Sequence, residues 1–316
     1  MQKHIRQGNV MDKTIKKRRV YQEALNRHFG YYYTIKKTLH RASTKYQRVE
    51  LVDTDEFGKV LLLDDITQVA EKNDFMYHEP MVHPALACHP KPESVLVVGG
   101  GDGGTLREAL KYPTVRRVEL AELDEGVIRF SRKYLGGVHG ECFDDPRVNV
   151  NITDGRSFTE EHPGEFDVVI MDMTDPFGPS RMLYTREFYR MAKRAMRDRA
   201  GIFVMHSESP VARPAAFACI RKTLSAVFNS VNPLYMYIQM YAVLWSITTA
   251  SDGVDLAAVK PAAVDRKLAK LGIKGLKMYN GATHASMLTP YPYIEDILAQ
   301  RVPVITDAKP EFPDDF

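Results

Sequence analysis

Ser94-Val95-Leu96-Val97-Val98-Gly99-Gly100-Gly101-Asp102-Gly103-Gly104 is the stretch on which the fold turns. Val95 to Val98 form an unbroken apolar run, as a parallel strand requires when helices cover both of its faces. The glycines allow a tight turn from strand to helix and a close approach of backbone to ligand. Thr105 to Tyr112 then continue with helical spacing. Working forward, Arg117 to Leu123, Val148 to Thr153, Asp167 to Met171 and Gly201 to Met205 read as further strands. Helices are expected over Glu125 to Leu135, Thr185 to Met196 and Val211 to Phe228. This alternation predicts an α/β fold with a doubly wound sheet.

Leu234 to Tyr241 and Leu244 to Ala250 are close enough in sequence to pair antiparallel, which points to the methyltransferase-like variant of the Rossmann-type sheet. Working backward, residues from about 20 to 80 read as a small amino-terminal antiparallel β domain after a short helical start. Tyr46 to Val52 alternate as a half-buried strand, Asp55-Glu56-Phe57-Gly58 make a turn, and Lys59 to Leu63 return. His78 to His89 are expected as a helix stopped by Pro90 and Pro92. The expected division is a basic, disordered lead-in over 1–20, the β domain over 21–80, a catalytic domain over 81–300 and a tail over 301–316.

Composition narrows the function. The chain has 43 Lys+Arg against 40 Asp+Glu, a net +3, so no strong field argues for nucleic acid or an anionic membrane. No window approaches the roughly 20 apolar residues of a membrane span. The lead-in carries Lys3, Arg6, Lys13, Lys16, Lys17, Arg18 and Arg19 without an apolar segment or cleavage pattern, so no signal peptide is expected. Cys88, Cys142 and Cys219 are scattered, which suits a reducing cytoplasm and offers no metal site.

Ligands of an open α/β sheet bind beyond the carboxyl ends of its strands. Four acidic signals fall there: Asp102, Glu122, Asp154 and the pair Asp172/Asp175. Glu122, just past the second strand, suits ribose hydroxyls. The glycine loop taken alone fits NAD, S-adenosylmethionine or a merely structural turn. Asp102 inside it would repel a diphosphate or a carboxylate and attract an ammonium group. Asp172-Met173-Thr174-Asp175-Pro176 holds two acids with no base between them, either a solvated loop tip or a site for arriving cations.

These motifs, taken in order, resemble the spermidine synthase family of polyamine aminopropyltransferases. The resemblance is carried by Gly99 to Glu108, Glu122-Leu123-Asp124, Asp144-Asp145-Pro146-Arg147, Asp154-Gly155 and Asp172 to Pro176. It extends to Tyr46-Gln47, Gly58-Lys59-Val60-Leu61, Tyr77-His78-Glu79, Leu183-Tyr184-Thr185, Glu187-Phe188-Tyr189 and Met278-Tyr279-Asn280 followed by His284. It implies aminopropyl transfer from decarboxylated S-adenosylmethionine, a co-substrate, to an amine, with no metal or other cofactor. Gln47, His78, Gly101 and Asp102 would hold the donor's aminopropyl and methionine-derived end, Glu122 the ribose, and Asp154 with Gly155 the adenine. Asp172 would be the general base, with Tyr77, Asp175 and Tyr241 lining the amine site. A homodimer or homotetramer is implied.

Several positions depart from that pattern: Asn73-Asp74 in place of Asp-Glu, His206 in place of Gln, a Tyr241 to Leu244 turn without Pro or Gly, and Ala250-Ser251-Asp252 at a strand end. His206, Glu208 and Trp245 are therefore expected to shape the far wall of the acceptor pocket. Glu208 would offer an anion to a second ammonium, which a protonated His206 would oppose. Putrescine, giving spermidine, is the expected acceptor; a triamine or agmatine is the alternative. A methyltransferase or a non-catalytic binding module is the alternative class.

Overall fold

Two sheets build the described part of the chain, residues 18–313 of a computed structural model. The lead-in up to residue 17 and residues 314–316 lie outside it. The first sheet follows chain order: β1 (Arg19–Ala24), β2 (Gly30–Ser43), β3 (Arg48–Thr54), β4 (Gly58–Leu63) and β5 (Ile66–Ala70). All its neighbours are antiparallel. The expected helical start is corrected, because Arg19–Ala24 pairs residue by residue with β2, from Arg19↔Ile35 to Ala24↔Gly30. Gln22, Glu23 and Ala24 are helix-compatible, but pairing that buries Tyr21 outweighs a propensity of tenths of a kcal/mol.

After α1 (Phe75–Cys88) comes the second sheet: β6 (Ser94–Gly99), β7 (Arg117–Glu122), β8 (Val148–Ile152), β9 (Val168–Asp172), β10 (Ile202–His206), β11 (Ser230–Ile238) and β12 (Val243–Ser251). The strand order is β11-β12-β10-β9-β6-β7-β8, parallel except for the pairs that β12 makes with β10 and β11. Helices fill the connections: α2 (Gly104–Leu110), α3 (Glu125–Tyr134), α4 (Gly136–His139), α5 (Gly155–Glu161), α6 (Arg186–Ala195) and α7 (Pro214–Ser225). Beyond β12 follow α8 (Pro261–Lys270), α9 (Gly281–Met287) and α10 (Pro292–Leu298).

The apolar run in β6 serves both faces, because successive strand residues point to opposite sides. Val95 and Val97 join a core with Met81, Val82 and Leu86 of α1, while Leu96 and Val98 join another with Phe188 and Tyr189 of α6. Pro233 sits on β11, an edge strand, where a missing N–H is tolerated.

Three expected boundaries move. Residue 80 falls inside α1, whose buried face belongs to the second sheet. α7 starts at Pro214, not Val211, since proline suits the first helical turn and not the interior. The segment after Arg301 is not a loose tail within the described residues. Ile305 and Phe312 are buried in the second core, and Asp307 pairs with Arg156 at 2.5 Å.

Candidate functional site

The carboxyl ends of β6, β7, β8 and β9 converge as the sheet rule requires. After β6, Asp102 accepts from the Gly104 N–H at 2.7 Å, and its Oδ1 lies 3.5 Å from His78 Nε2. His78 in turn has Nδ1 3.2 Å from Asp74 Oδ2. Burial pushes the Asp102 carboxyl up, but the facing His78 and the Gly104 N–H outweigh it and hold the group below its ordinary value. Gly101 is needed for close approach, since a Cβ there would stand 3.0 Å from Glu122 Oε2.

Glu122 ends β7, and its Oε1 accepts from the Asp124 N–H at 2.8 Å. Burial raises this carboxyl to about 7. Asp124 caps α3, accepting from Gly126 N, and receives Gln47 Nε2 at 3.0 Å, which ties the first sheet to the second. Asp154 caps α5 by accepting from Ser157 N at 2.8 Å, and Gly155 opens that helix. Gln47, Asp102, Glu122 and Asp154 therefore hang from neighbouring strand ends or from a residue bound to one.

At the end of β9, Asp172 Oδ1 accepts from the Tyr77 hydroxyl at 2.9 Å and Oδ2 from the Thr105 hydroxyl at 2.5 Å. Burial and then the charge of Asp102 push this carboxyl up, against the pull of His78 and the two hydroxyls. Such a carboxylate is oriented and readily takes a proton. Thr105 was not singled out by sequence reasoning for this contact; its place one residue into α2 was the only signal. Asp175, three residues on, is half-buried.

An aromatic wall stands beside these acids. Tyr241 meets Tyr77 edge-on at 6.3 Å and Trp245 at 5.0 Å, and Trp245 stacks on His206 at 5.7 Å. The Tyr184 hydroxyl donates to the Thr174 carbonyl at 2.9 Å and lies 2.6 Å from His206 Nε2. His206 Nδ1 and Trp245 Nε1 are buried without hydrogen-bond partners among the described residues. Of the two charge states open to His206, burial favours the neutral ring by lowering its pKa.

Glu208 is also placed differently from the expectation. It is fully buried at a left-handed φ of 69°, with Oε1 accepting from Arg213 Nη1 at 2.6 Å. Its charge is matched by a guanidinium rather than presented to the pocket. Glu23 of β1, which sequence reasoning missed, is a half-buried acid on this side. It accepts from the Tyr21 hydroxyl at 2.7 Å and from Thr67 N at 2.9 Å, and its charge is felt by Tyr241. Burial pushes the Glu23 carboxyl up. Its only sequence signal was an acid in a segment read as a helix. Asn73 donates to Gln239 Oε1 at 3.2 Å, a bond that an aspartate could not make.

Residues 74–258 match the spermine/spermidine synthase domain, and residues 20–71 match the spermidine synthase tetramerisation domain. The chain belongs to the spermine/spermidine synthase family. A polyamine aminopropyltransferase of Nitrosomonas europaea is 39% identical over 285 residues, covering 90% of this chain and 87% of that one. The Bacillus subtilis polyamine aminopropyltransferase is 38% identical over 241 residues, covering 76% and 87%. A solved spermidine synthase in complex with the transition state analogue AdoDATO superposes with a TM-score of 0.84 at 32% identity, covering 91% of this chain and 98% of the other. The spermidine synthase of Thermotoga maritima gives 0.83 at 33%, covering 89% and 94%. Among the described residues no cluster of three or more His, Cys, Asp or Glu could hold a metal, and no helix is long and apolar enough to cross a membrane.

Proposed function

We propose that this chain transfers the aminopropyl group of decarboxylated S-adenosylmethionine to putrescine, giving spermidine and methylthioadenosine. The observation that carries the reading is Asp172, fixed by Tyr77 and Thr105 with its carboxyl pushed up. The methylene beside a sulfonium is already electrophilic, whereas an amine protonated at neutral pH has no lone pair for attack. Asp172 orients the ammonium and takes its proton. The nitrogen bonds to the methylene, the C–S bond breaks, and its electron pair leaves on sulfur as a neutral thioether.

Asp102, backed by His78, takes the donor's ammonium end, Glu122 the ribose, and Asp154 with Gly155 the adenine. Gln47 braces this side through Asp124. Tyr77, Asp175 and Tyr241 line the amine, whose methylenes and charge suit the aromatic wall. Glu23 supplies the anion for the distal ammonium in place of Glu208, while His206 and Trp245 offer neutral polar atoms. A homo-oligomer, dimer or tetramer, is supported by Tyr32 and Leu39 left exposed on β2. Three free cysteines suit the cytoplasm.

Steady-state kcat/KM with decarboxylated donor and putrescine, cadaverine, agmatine or spermidine, with products identified by mass, tests the acceptor. Putrescine should lead. A tenfold preference for agmatine or spermidine (roughly 1.4 kcal/mol) would overturn putrescine, and methyl transfer would overturn the reaction.

A further inference from the structure

Behind Asp102 a chain of buried and half-buried charges runs away from the site. Arg107 Nη2 lies 2.6 Å from Asp74 Oδ2, the same oxygen is 3.2 Å from His78 Nδ1, and His78 Nε2 is 3.5 Å from Asp102 Oδ1. Asp74 directly precedes α1 and His78 lies one turn into it, while Asp102 precedes α2 and Arg107 belongs to it. The chain therefore crosses between the two helices twice. Gly104 lets them close, since a Cβ there would stand 2.2 Å from the His78 ring. Arg107 is anchored at its far side by Glu108 Oε1 at 2.9 Å and by the Val138 carbonyl.

We propose that Asp74 and Arg107 are positioning residues for donor binding, acting through His78 to hold Asp102 in the orientation and charge that a ligand ammonium needs. The proposal rests on the reading of Asp102 as the donor's ammonium site. His78 is faced by Asp74 at the start of its own helix, by Asp102 and Arg107 from α2, and by Asp172 from β9. The Tyr77 ring stands edge-on to it at 5.4 Å. Burial alone would favour a neutral ring, but Asp102 and Asp74 outweigh it and keep His78 protonated up to about pH 10.

Protonation matters because only an imidazolium donates from both nitrogens. Asp74 faces one N–H, which leaves the other directed at Asp102. Arg107 in turn holds Asp74, which would otherwise be a second buried anion competing for the histidine. Without the charge of Asp74 the ring loses both its orientation and part of the reason to keep its proton. Asp102 then loses its nearest countercharge.

Asp74→Asn and Asp74→Glu, made in the full chain labelled with carbon-13 histidine, test this. His78→Gln identifies the His78 resonance. In the native protein that resonance should stay at its imidazolium position from about pH 6 to about pH 9; in Asp74→Asn it should titrate inside that window. Donor KM should rise about tenfold in Asp74→Asn. Acceptor KM and kcat at saturation should stay within about twofold, and Asp74→Glu should recover most of the loss. An unchanged His78 titration in Asp74→Asn would overturn the relay. So would a joint rise of donor and acceptor KM with a lowered Tm, which marks a packing role. If Asp102→Asn leaves donor KM unchanged, the donor-site reading itself fails, and the histidine resonance separates that failure from failure of the relay.

Discussion

The two halves of the site are made in different ways. On the donor side each acid is held by a backbone N–H only a few residues along: Asp102 by Gly104, Glu122 by Asp124, Asp154 by Ser157. On the acceptor side the contacts are distant. Tyr77 reaches Asp172 across 95 positions, and Tyr241 reaches the Gln68 carbonyl across 173. The turn contacts of the proposed donor half are thus local, with His78 and Gln47 bracing them from farther along the chain, whereas the proposed acceptor half exists only where β9, β10, β12 and the first sheet meet. Substitutions on the donor side should shift donor affinity alone, and those on the acceptor side should shift the choice of amine.

Asp172 stands between the halves and carries the largest effect. Asp172→Asn should fold with an unchanged circular dichroism spectrum and lose about 100-fold or more in kcat. Turnover near the native value at saturating substrates would remove Asp172 as the base and break the comparison at its centre.

Next are the two acids on the acceptor side. Glu23→Gln should raise KM for putrescine by about 30-fold and leave a monoamine such as butylamine unaffected, because only the diamine carries a second ammonium. The same change at Glu208 should lower Tm, at a cost of about 2 kcal/mol from its bond to Arg213, and leave the ranking of acceptors as it was. A reversed pattern would return Glu208 to the pocket wall.

The donor half should also show its own pH dependence. The Glu122 carboxyl is raised to about 7, and the proposed contact with ribose hydroxyls needs it ionised. Donor affinity should therefore weaken as pH falls through that value and level off above it, by about tenfold between about pH 8 and about pH 6 in calorimetric titration. Glu122→Gln should bind weakly with no such slope. The smallest effect belongs to His206. Burial lowers its pKa, so His206→Gln should change kcat/KM by less than about threefold and leave the pH profile near neutrality unchanged. A lost inflection in that variant would show that the ring titrates.

Much of this was legible from the chain because the information is local. Val95 to Val98, the glycines and Asp102 are consecutive, and strand, turn and helix propensities act over that range. The same holds for Glu122 and Asp154 at their strand ends. β1 was misread because its strand state comes from β2, whose own residues lie beyond a turn. The segment after Arg301 had no legible role because Ile305 and Phe312 show their purpose only against α6 and the second core.

Charge states were the least legible. His206 and Glu208 are two residues apart, and the sequence leaves open whether the ring stands as a cation beside the anion. Folding buried one, which lowers its pKa, and gave the other a guanidinium, while Glu23 came in from the opposite end of the chain. Backbone pattern is decided by near neighbours and survives in the sequence. A pKa or a countercharge is decided by whatever lies within a few ångströms through space, and the chain assembles that only when its two sheets meet.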